Sequence, residues 1–338
     1  MRNNSIQILT IVFLFVSNIA FSQDIHFSQF YASPLTLNPA QTGNHDAQWR
    51  VVDNYRNQWF TMTIPFVTNS ISVDRHFYLR NERLDVGVNI INDMSGDASL
   101  KVSKAYLSIA YKKSIKGNNF FIGIQPGYVM KSISIDNLSF PDQYNNQTGY
   151  FDPSKPTTGD YSGDDLSYLD VNAGIKWDKQ FGRWKPELGV AVFHLNEPGE
   201  SFFGTANKIT HRKVAHVGTK FFFNSKYTIN PYFLYMEHYG ASEILYGSNV
   251  YINLEKNKSF AKSVFASLYL RDGISRNVDA VVVGGGMNFY NTDVGISYDL
   301  NVSSLHSATA YQGAFEISLI YYIFDECSKK MIIPCERY

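Results

Sequence analysis

The sequence is poor in cysteine and in charge. Its 338 residues include only two cysteines, Cys327 and Cys335, which excludes a disulfide-rich scaffold and any C-x-x-C metal or redox motif. Charged residues reach 18%, whereas an ordinary soluble domain has roughly 25%. Too few charges therefore remain to cover a conventional water-facing surface.

A concentrated patch of one charge sign is also missing. Lys and Arg together number 30, as do Asp and Glu, so the formal net charge is zero. The basic residues are scattered singly, whereas a phosphate backbone is bound by clustered cations. The composition therefore excludes nucleic acid as a partner.

Long hydrophobic runs are confined to the first residues. Arg2, the apolar stretch 6–16 and the small-x-small sequence Ala20-Phe21-Ser22 predict a secretory signal over residues 1–22, removed before Gln23. Past Gln23 no apolar run reaches the ~18 residues of a membrane-spanning helix, which excludes a helical membrane protein. The mature chain is therefore expected to be periplasmic, secreted or an outer-membrane β-barrel.

The sequence is rich in aromatic residues and in alternation of period two. Aromatics make up 15% of the chain. Over residues 311–323 one set of alternate positions is apolar apart from glycine, while the other set begins polar, and residues 105–111, 169–177 and 294–300 follow the same pattern. This alternation indicates strands with one apolar and one polar face. Among the polar faces, the inward-pointing residues are predicted to include Asp170, Lys176, Asp299 and Glu316.

Fourteen such segments are predicted. They begin near Arg50, Asn69, Asp85, Lys101, Asn119, Ser167, Arg183, His211, Lys226, Ser242, Ser259, Asn277, Asp293 and Ala308. An even number of antiparallel strands can close into a barrel that pairs every backbone group, as a lipid environment requires. The predicted fold is all-β: a transmembrane antiparallel β-barrel over residues 50–324, preceded by a segment without strands at 23–49 and followed by a short tail at 325–338.

The connections between these segments differ in length in a regular way. Even-numbered connections such as 80–83, 116–118 and 291–292 are short and polar, which is typical of periplasmic turns. Odd-numbered connections include the long stretches 135–166 and 196–210, which are typical of extracellular loops. An even strand count then places both termini, including the tail, in the periplasm. Aromatics near strand ends suit the two interfacial girdles, although aromatics favour strands in any setting.

The most specific motif lies at the start of the mature chain. Residues 27–40 read FSQFYASPLTLNPA, followed by Gly43 and by YRNQW at residues 55–59. This resembles the opening of the PorP/SprF family, in which F-S-Q-[YF]-Y-x-x-P-L-x-L-N-P-A precedes a first strand that ends in Y-R-x-Q-W. The end of the chain is similar to the family ending C-P-R-F, but Glu336 and Tyr338 replace the usual Pro and Phe.

The resemblance covers essentially the whole mature chain and carries functional implications. It implies an outer-membrane protein of a Bacteroidetes-type Gram-negative bacterium that assists type IX secretion or surface anchoring of cargo, such as gliding adhesins with a type B C-terminal signal. The implied partners are outer-membrane lipid, the cargo or adhesin C-terminal domain, and periplasmic secretion components, and neither cofactor, metal nor enzymatic activity is implied. The motif residues expected to bind partners are Phe27, Gln29, Tyr31, Pro34, Asn38, Pro39, Tyr55, Arg56, Trp59, Cys335 and Arg337.

The segment from Phe27 to Gly43 allows several interpretations. Pro34 and Pro39 each lack a backbone donor, so the segment is too irregular for a strand. It is expected either to plug the periplasmic mouth or lumen, to dock a partner there, or merely to orient the first strand. In the tail, a disulfide between Cys327 and Cys335 is possible in the oxidising periplasm, and the tail can either bind periplasmic machinery or cap the barrel.

Other residue groups give weaker signals. His211 and His216 match no metal-ligand spacing. Asp160, Asp164 and Asp165 fit either a calcium site or solvated loop charges, and the glycines at 284–286 predict a bend or close packing beside aromatics. His306-Ser307 allows the weak hypothesis of an outer-membrane hydrolase. The main alternative to secretion is a passive transporter whose polar inner faces line a path for small solutes.

Overall fold

The computed structural model describes most of the predicted mature chain. Described are residues 24–59, 65–80, 82–95, 100–133, 140–152, 154–155, 165–201, 207–254, 261–274, 277–304 and 309–324. The predicted signal, the tail with Cys327, Cys335 and Arg337, and residues Asp160, Asp164, His306 and Ser307 lie outside these ranges. Within them, no helix is long and apolar enough to cross a membrane.

The described residues are mainly strands. The strands are β1 (Trp49–Gln58), β2 (Phe66–Leu79), β3 (Glu82–Ser95), β4 (Leu100–Ile115), β5 (Asn118–Ser132), β6 (Tyr144–Asn145), β7 (Tyr150–Phe151), β8 (Leu166–Lys179), β9 (Trp184–Phe193), β10 (Arg212–Phe222), β11 (Tyr227–His238), β12 (Ala241–Asn253), β13 (Ser263–Gly273), β14 (Asn277–Phe289), β15 (Thr292–Asn301) and β16 (Gln312–Ile323). Helical structure is limited to one α-helical turn, α1 (Pro34–Leu37), and to 3-10 turns at Phe30–Ala32, Pro39–Gln41 and Pro141–Gln143.

All strands except β6 and β7 form one closed barrel. Neighbours in sequence pair antiparallel around the sheet, β5 pairs with β8 across the hairpin β6–β7, and β1 pairs with both β2 and β16. Closure leaves no open sheet edge. The prediction of a fourteen-stranded antiparallel barrel with a non-strand N-terminal segment is confirmed.

The predicted strand starts agree with the structure to within four residues. The largest shifts are at β13, predicted from Ser259, and at β16, predicted from Ala308. At β16 the cause is local, because Ala310 and Tyr311 adopt positive φ angles of 50° and 62°. An extended strand cannot pass through such a conformation, so β16 begins only at Gln312.

The side chains of the barrel alternate between an inner and an outer face. Asp170, Asp299, Glu316 and Lys176 are 0%, 0%, 1% and 3% exposed, so the prediction that they point inward is confirmed. On the outer face, Ile122 and other large apolar side chains are widely exposed. This pattern is the apolar-out, polar-in arrangement of a membrane barrel.

The two ends of the barrel carry different connections. We call the end of the barrel at which β1, β3, β5, β9, β11, β13 and β15 end the long-loop mouth. The end at which β2, β4, β8, β10, β12, β14 and β16 end is the short-turn mouth. The longest connection contains the hairpin β6–β7, which alternation does not predict because each of its strands has only two residues.

The three consecutive glycines at 284–286 lie inside β14. A Cβ atom on Gly286 would overlap the carbonyl oxygen of Val294 and would lie 2.6 Å from the ring of Phe265. The absence of a side chain therefore lets β14 pack closely beside an aromatic ring, as the sequence predicted.

Candidate functional site

The N-terminal segment occupies the interior of the barrel from one mouth towards the other. Asp24 lies beside Lys104, which is close to the long-loop end of β4, whereas Gly43 bonds to Asp74 in the half of β2 nearer the short-turn mouth. We call residues 24–47 the lumenal segment. Its first residue lies near the opposite mouth from the start of β1, so the expectation that both termini face the same mouth is wrong for the first described residues. The even strand count determines only that the first and last strands of the barrel begin and end at the same mouth. The lumenal segment precedes β1 and runs back through the lumen to the other mouth.

A carboxylate of the wall holds the segment near the long-loop mouth. The two carboxylate oxygens of Glu316 accept hydrogen bonds from the backbone N–H groups of Ser28 and Gln29, each at 2.8 Å. The Gln29 side chain donates to the Glu316 carbonyl at 3.2 Å and accepts from the Ser318 hydroxyl at 2.8 Å. Because Glu316 is 1% exposed, water cannot replace these bonds without displacement of the segment. We call this group, Ser28, Gln29, Glu316 and Ser318, the carboxylate latch.

Two arginines neutralise the acids around the latch. Arg56 pairs with Glu316 and lies 3.3 Å from Asp299. Arg271 lies 2.8 Å from Asp299, whose carboxylate also accepts the Ser28 hydroxyl at 2.8 Å. A buried charge is tolerated only when it is paired and hydrogen-bonded. The segment therefore adds one hydroxyl and two backbone N–H donors to a buried charge network of the wall.

The start of the segment enters a second buried network. Asp24 lies 2.5 Å from Lys104 and 3.4 Å from both Arg212 and His194. Burial alone would raise the pKa of Asp24, but Lys104 and Arg212, together with His194, hold that pKa well below its usual value. Burial lowers the pKa of His194, but its bonds to Asp170, at 2.9 Å, and to Asp24 raise the pKa overall. Asp24 is thus an anion that anchors the segment among wall cations.

In the middle of the lumen, glycines of the wall make room for Asn38 and Pro39 of the segment. Gly123 and Gly174 are directly paired across β5 and β8, and Gly189 lies on the neighbouring strand β9. A Cβ atom on Gly123 would overlap the Pro39 backbone, and one on Gly174 would overlap the Asn38 side chain. A Cβ on Gly189 would overlap the His216 ring, which bonds to Asn38, and would lie 2.9 Å from the Asn38 amide nitrogen. These three residues form what we call the glycine cradle.

The side chain of Asn38 is fully hydrogen-bonded in the cradle. Its amide nitrogen lies 3.1 Å and 3.3 Å from the carbonyl oxygens of Ile175 and Val190 and 3.2 Å from His216 Nε2. Its oxygen accepts from the backbone N–H of Ala40 at 2.9 Å. Because only an amide side chain offers donors and an acceptor here, the arrangement gives a physical reason for asparagine in the N-P-A sequence.

Aromatic packing holds the first 3-10 turn. The ring of Phe30 makes edge-to-face contacts with Tyr31, Tyr232 and Tyr269 at centroid distances of 5.8, 5.6 and 5.6 Å. These rings adjoin the largest buried apolar cluster within the described residues, which also includes Leu37. Edge-to-face pairs add to the free energy of burial, so the contact is both apolar and specific.

Near the short-turn mouth, the segment ends on another carboxylate. Asp74 accepts the backbone N–H of Gly43 at 2.6 Å and two bonds from Arg50, at 2.9 and 2.6 Å. Arg83 donates to the carbonyl of Gly43. Gly43 has a φ of 66°, and a Cβ there would lie 2.5 Å from the Asp85 side chain. The motif glycine is therefore required both by its conformation and by its neighbour.

The structure places the predicted partner-binding residues in three locations. Buried in the lumen are Phe27, Gln29, Pro34, Asn38, Pro39 and Arg56, with Tyr31 partly buried there. Tyr55 lies on the outer face of β1, and Trp59 packs edge-to-face on Phe66 just beyond that strand. Cys335 and Arg337, like the disulfide candidate Cys327, lie outside the described residues.

Several contributors were not singled out from the sequence. Asp74 and the glycine cradle were not predicted as site residues, and Arg50 was predicted only as a strand start, although the alternation puts each of them on the inner face. His216, considered for metal binding, bonds to Asn38 instead, while His211 lies 3.6 Å from Glu197. Among the residues of the barrel and segment that are described, no cluster of three or more metal-ligating side chains occurs.

Comparison with known proteins gives one family and several similar folds. The model of the type IX secretion system membrane protein PorP/SprF matches residues 19–321. No curated protein matches the chain. Among solved structures, the chain is similar to the CymD monoaromatic hydrocarbon channel, with 10% identity, a TM-score of 0.50 and coverage of 87% of this chain and 93% of that one. It is also similar to the toluene transporter TbuX of Ralstonia pickettii, with 9% identity, a TM-score of 0.49 and coverage of 86% and 94%. At such identity the likeness to CymD concerns the fold alone.

Proposed function

The chain belongs to the PorP/SprF family of type IX secretion system membrane proteins, and we propose that its closed barrel assists secretion or surface anchoring of cargo by binding other proteins. Its family and its barrel imply a location in the outer membrane. The proposed cargo carries a type B C-terminal signal, as gliding adhesins do. The proposed role requires neither a cofactor nor catalysis.

The observation that supports this function is that the chain itself passes through the lumen and bonds to the wall along its length. The lumenal segment bonds to the wall at the carboxylate latch, at the glycine cradle and at Asp74. Each contact involves buried polar groups, whose separation costs free energy. A barrel closed in this way is suited to present fixed surfaces at its mouths and is poorly suited to let solutes diffuse.

The proposed orientation follows from the connections. We take the short-turn mouth to face the periplasm and the long-loop mouth to face the cell exterior, as in other bacterial barrels. In this orientation the tail from residue 325 extends into the periplasm. We also propose that the signal over residues 1–22 is removed before Gln23. Since Gln29 and Asn38 are buried, we propose that the motif closes the barrel, while Cys335, Arg337 and the rest of the tail contact periplasmic components.

The second candidate is a passive transporter for small solutes. The fold is similar to that of CymD, which is described as a channel, but a shared fold does not establish a shared function. The polar inner faces suit either function. The lumenal segment bonded to the wall and the family membership favour protein binding.

Co-isolation tests the proposed function. The tagged protein is extracted from its native membrane in mild detergent, and the accompanying proteins are identified by mass spectrometry. We expect type IX secretion components and a cargo protein with a type B signal. A matched control carries the same tag on an unrelated barrel of the same membrane. If no such proteins accompany the barrel, and if the purified barrel lets small sugars enter liposomes, the transporter is favoured instead.

A further inference from the structure

A polar cleft opens at the short-turn mouth, beside the end of the lumenal segment. It encloses about 300 Å³. Its walls are the ends of β3, β4, β5, β8, β9, β10 and β16, and its floor includes Asn44, His45 and Asp46 of the segment. The network at Asp74 lies deeper in the lumen, and Arg83 and His45 of the cleft contact it from the side of the mouth.

The rim of the cleft places cations opposite cations. Arg83 on β3 is directly paired with Lys112 on β4, and Lys185 on β9 is directly paired with Lys220 on β10. All four line the cleft. Like charges directly opposite on antiparallel strands destabilise a sheet. The pairs Arg83–Lys112 and Lys185–Lys220 therefore destabilise the sheet that carries them.

Three of these cations lack a counterion of their own. Arg83 pairs with Asp85 at 2.8 Å. Within the part of the chain that the structure describes, Lys112, Lys185 and Lys220 make no ion pair within 4.0 Å. The deficit of negative charge is thus local to the cleft.

The acids of the cleft offset this deficit only in part. Asp178 and Glu187 both lie 3.2 Å from Lys176, so these three groups together keep one net negative charge. With the exposed Asp46, two negative charges stand against the three lysines.

A buried donor adds to the cleft from below. The His45 side chain is 3% exposed, and its Nε2 lies 3.7 Å from the Asp74 carboxylate. Among the described residues neither of its ring nitrogens has a hydrogen-bond partner. A buried polar group without such a partner is uncommon in folded proteins, so His45 can donate an N–H into the cleft.

We propose that this cleft binds carboxylate groups of an acidic polypeptide segment presented at the short-turn mouth. The lysines point into the barrel, so phosphates of the lipid that surrounds its outer face do not reach them. The cleft admits a few side chains rather than a folded domain, which suits an extended segment. The proposal rests on the proposed function in one respect, since a protein partner must supply the acidic polypeptide.

The test uses a fluorescently labelled hexaglutamate peptide and the purified full chain in a zwitterionic detergent. Binding is followed by fluorescence anisotropy at low and at physiological salt, with hexaglutamine as the neutral peptide. The cleft variant is Lys112→Gln/Lys185→Gln/Lys220→Gln. We expect it to bind hexaglutamate about tenfold more weakly, because each exposed charge pair adds only a modest free energy.

The matched control is Lys116→Gln/Lys179→Gln/Lys226→Gln, which removes the same charge near the same mouth but outside the cleft. It should bind within about twofold of the natural protein, as expected where only weak long-range attraction is lost. Equal losses in both triple variants would show diffuse attraction and would overturn the proposal, as would no binding to the natural protein. Binding of inorganic phosphate without hexaglutamate would reassign the ligand and also overturn it.

Folding of both variants is checked by the heat-dependent shift of the barrel in electrophoresis. If the cleft variant does not fold, the single variants Lys185→Gln and Lys220→Gln are compared instead, and each should lose about twofold to threefold in affinity. Because the peptide assay needs no native partner, it can fail while co-isolation succeeds, or the reverse, so the two proposals are tested separately.

Discussion

The replacement Glu316→Gln is expected to release the lumenal segment intermittently. The glutamine keeps the shape of the latch but removes its charge and turns an amide donor towards the backbone N–H of Ser28 or Gln29. One backbone donor of the segment then loses its acceptor. Arg56 still has Asp299 and belongs to the wall, as Glu316 does, so its loss of one partner does not by itself favour release. An unsatisfied buried donor costs about 1–3 kcal/mol. That free energy corresponds to a roughly fivefold to 150-fold rise in the ratio of released to seated segment.

Single-channel recording in a planar bilayer measures this change. The natural protein should stay closed, and the Glu316→Gln protein should show brief openings whose total duration grows with applied voltage. The control is Asp178→Asn, which alters a buried carboxylate that bonds to the wall residues Asn119 and Lys176. Equal opening in the control, or a Glu316→Gln channel as closed as the natural one, would refute the assignment of the latch.

Two further predictions concern stability. Gly174→Ala places a methyl group against Asn38 and should lower the unfolding free energy by about 1–3 kcal/mol. In the control Gly199→Ala, the nearest atom to the new methyl group would be 3.8 Å away, so the unfolding free energy should not change. Both are measured by a thermal melt followed by the electrophoretic shift. Burial, and after it the charge of Arg50, lowers the pKa of His45 from 6.5 to about 4. As the pH falls, the unfolded chain therefore binds a proton at His45 before the folded chain does. The stability that neutral His45 contributes is present above pH 6.5 and is lost as the pH falls towards 4. The unfolding midpoint of the natural protein should therefore drop more between these values than that of His45→Asn, and parallel pH curves would contradict this.

The barrel itself could be predicted from sequence because alternation is a local signal. Each strand displays its two faces within about ten residues, so the number of strands and the inward position of Asp299 and Glu316 follow without knowledge of their neighbours. At Tyr311 the φ angle is positive, so β16 begins only after that residue. The alternating pattern nevertheless extends to earlier residues, and the predicted start of β16 is therefore too early. The two-residue strands of β6–β7 are too short for any periodicity.

The site could be predicted only in part. The prolines show that the lumenal segment is not a strand, but they do not show what it touches, because Ser28 and Glu316 are 288 positions apart in the chain. The glycine cradle depends on β5, β8 and β9 being adjacent, which is known only once the register is known. The opposed lysines Lys185 and Lys220 become visible for the same reason. Contacts that depend on register are thus the part that alternation leaves undetermined.

Hydrogen exchange of the lumenal segment, measured by mass spectrometry on the purified natural protein, tests most directly whether the chain closes its own barrel. The backbone amides of Ser28, Gln29 and Gly43, each bonded to a wall carboxylate, should exchange as slowly as those of the strands around them. Exchange of residues 24–43 at the rate of an unstructured peptide, with the strands still protected, would contradict the account.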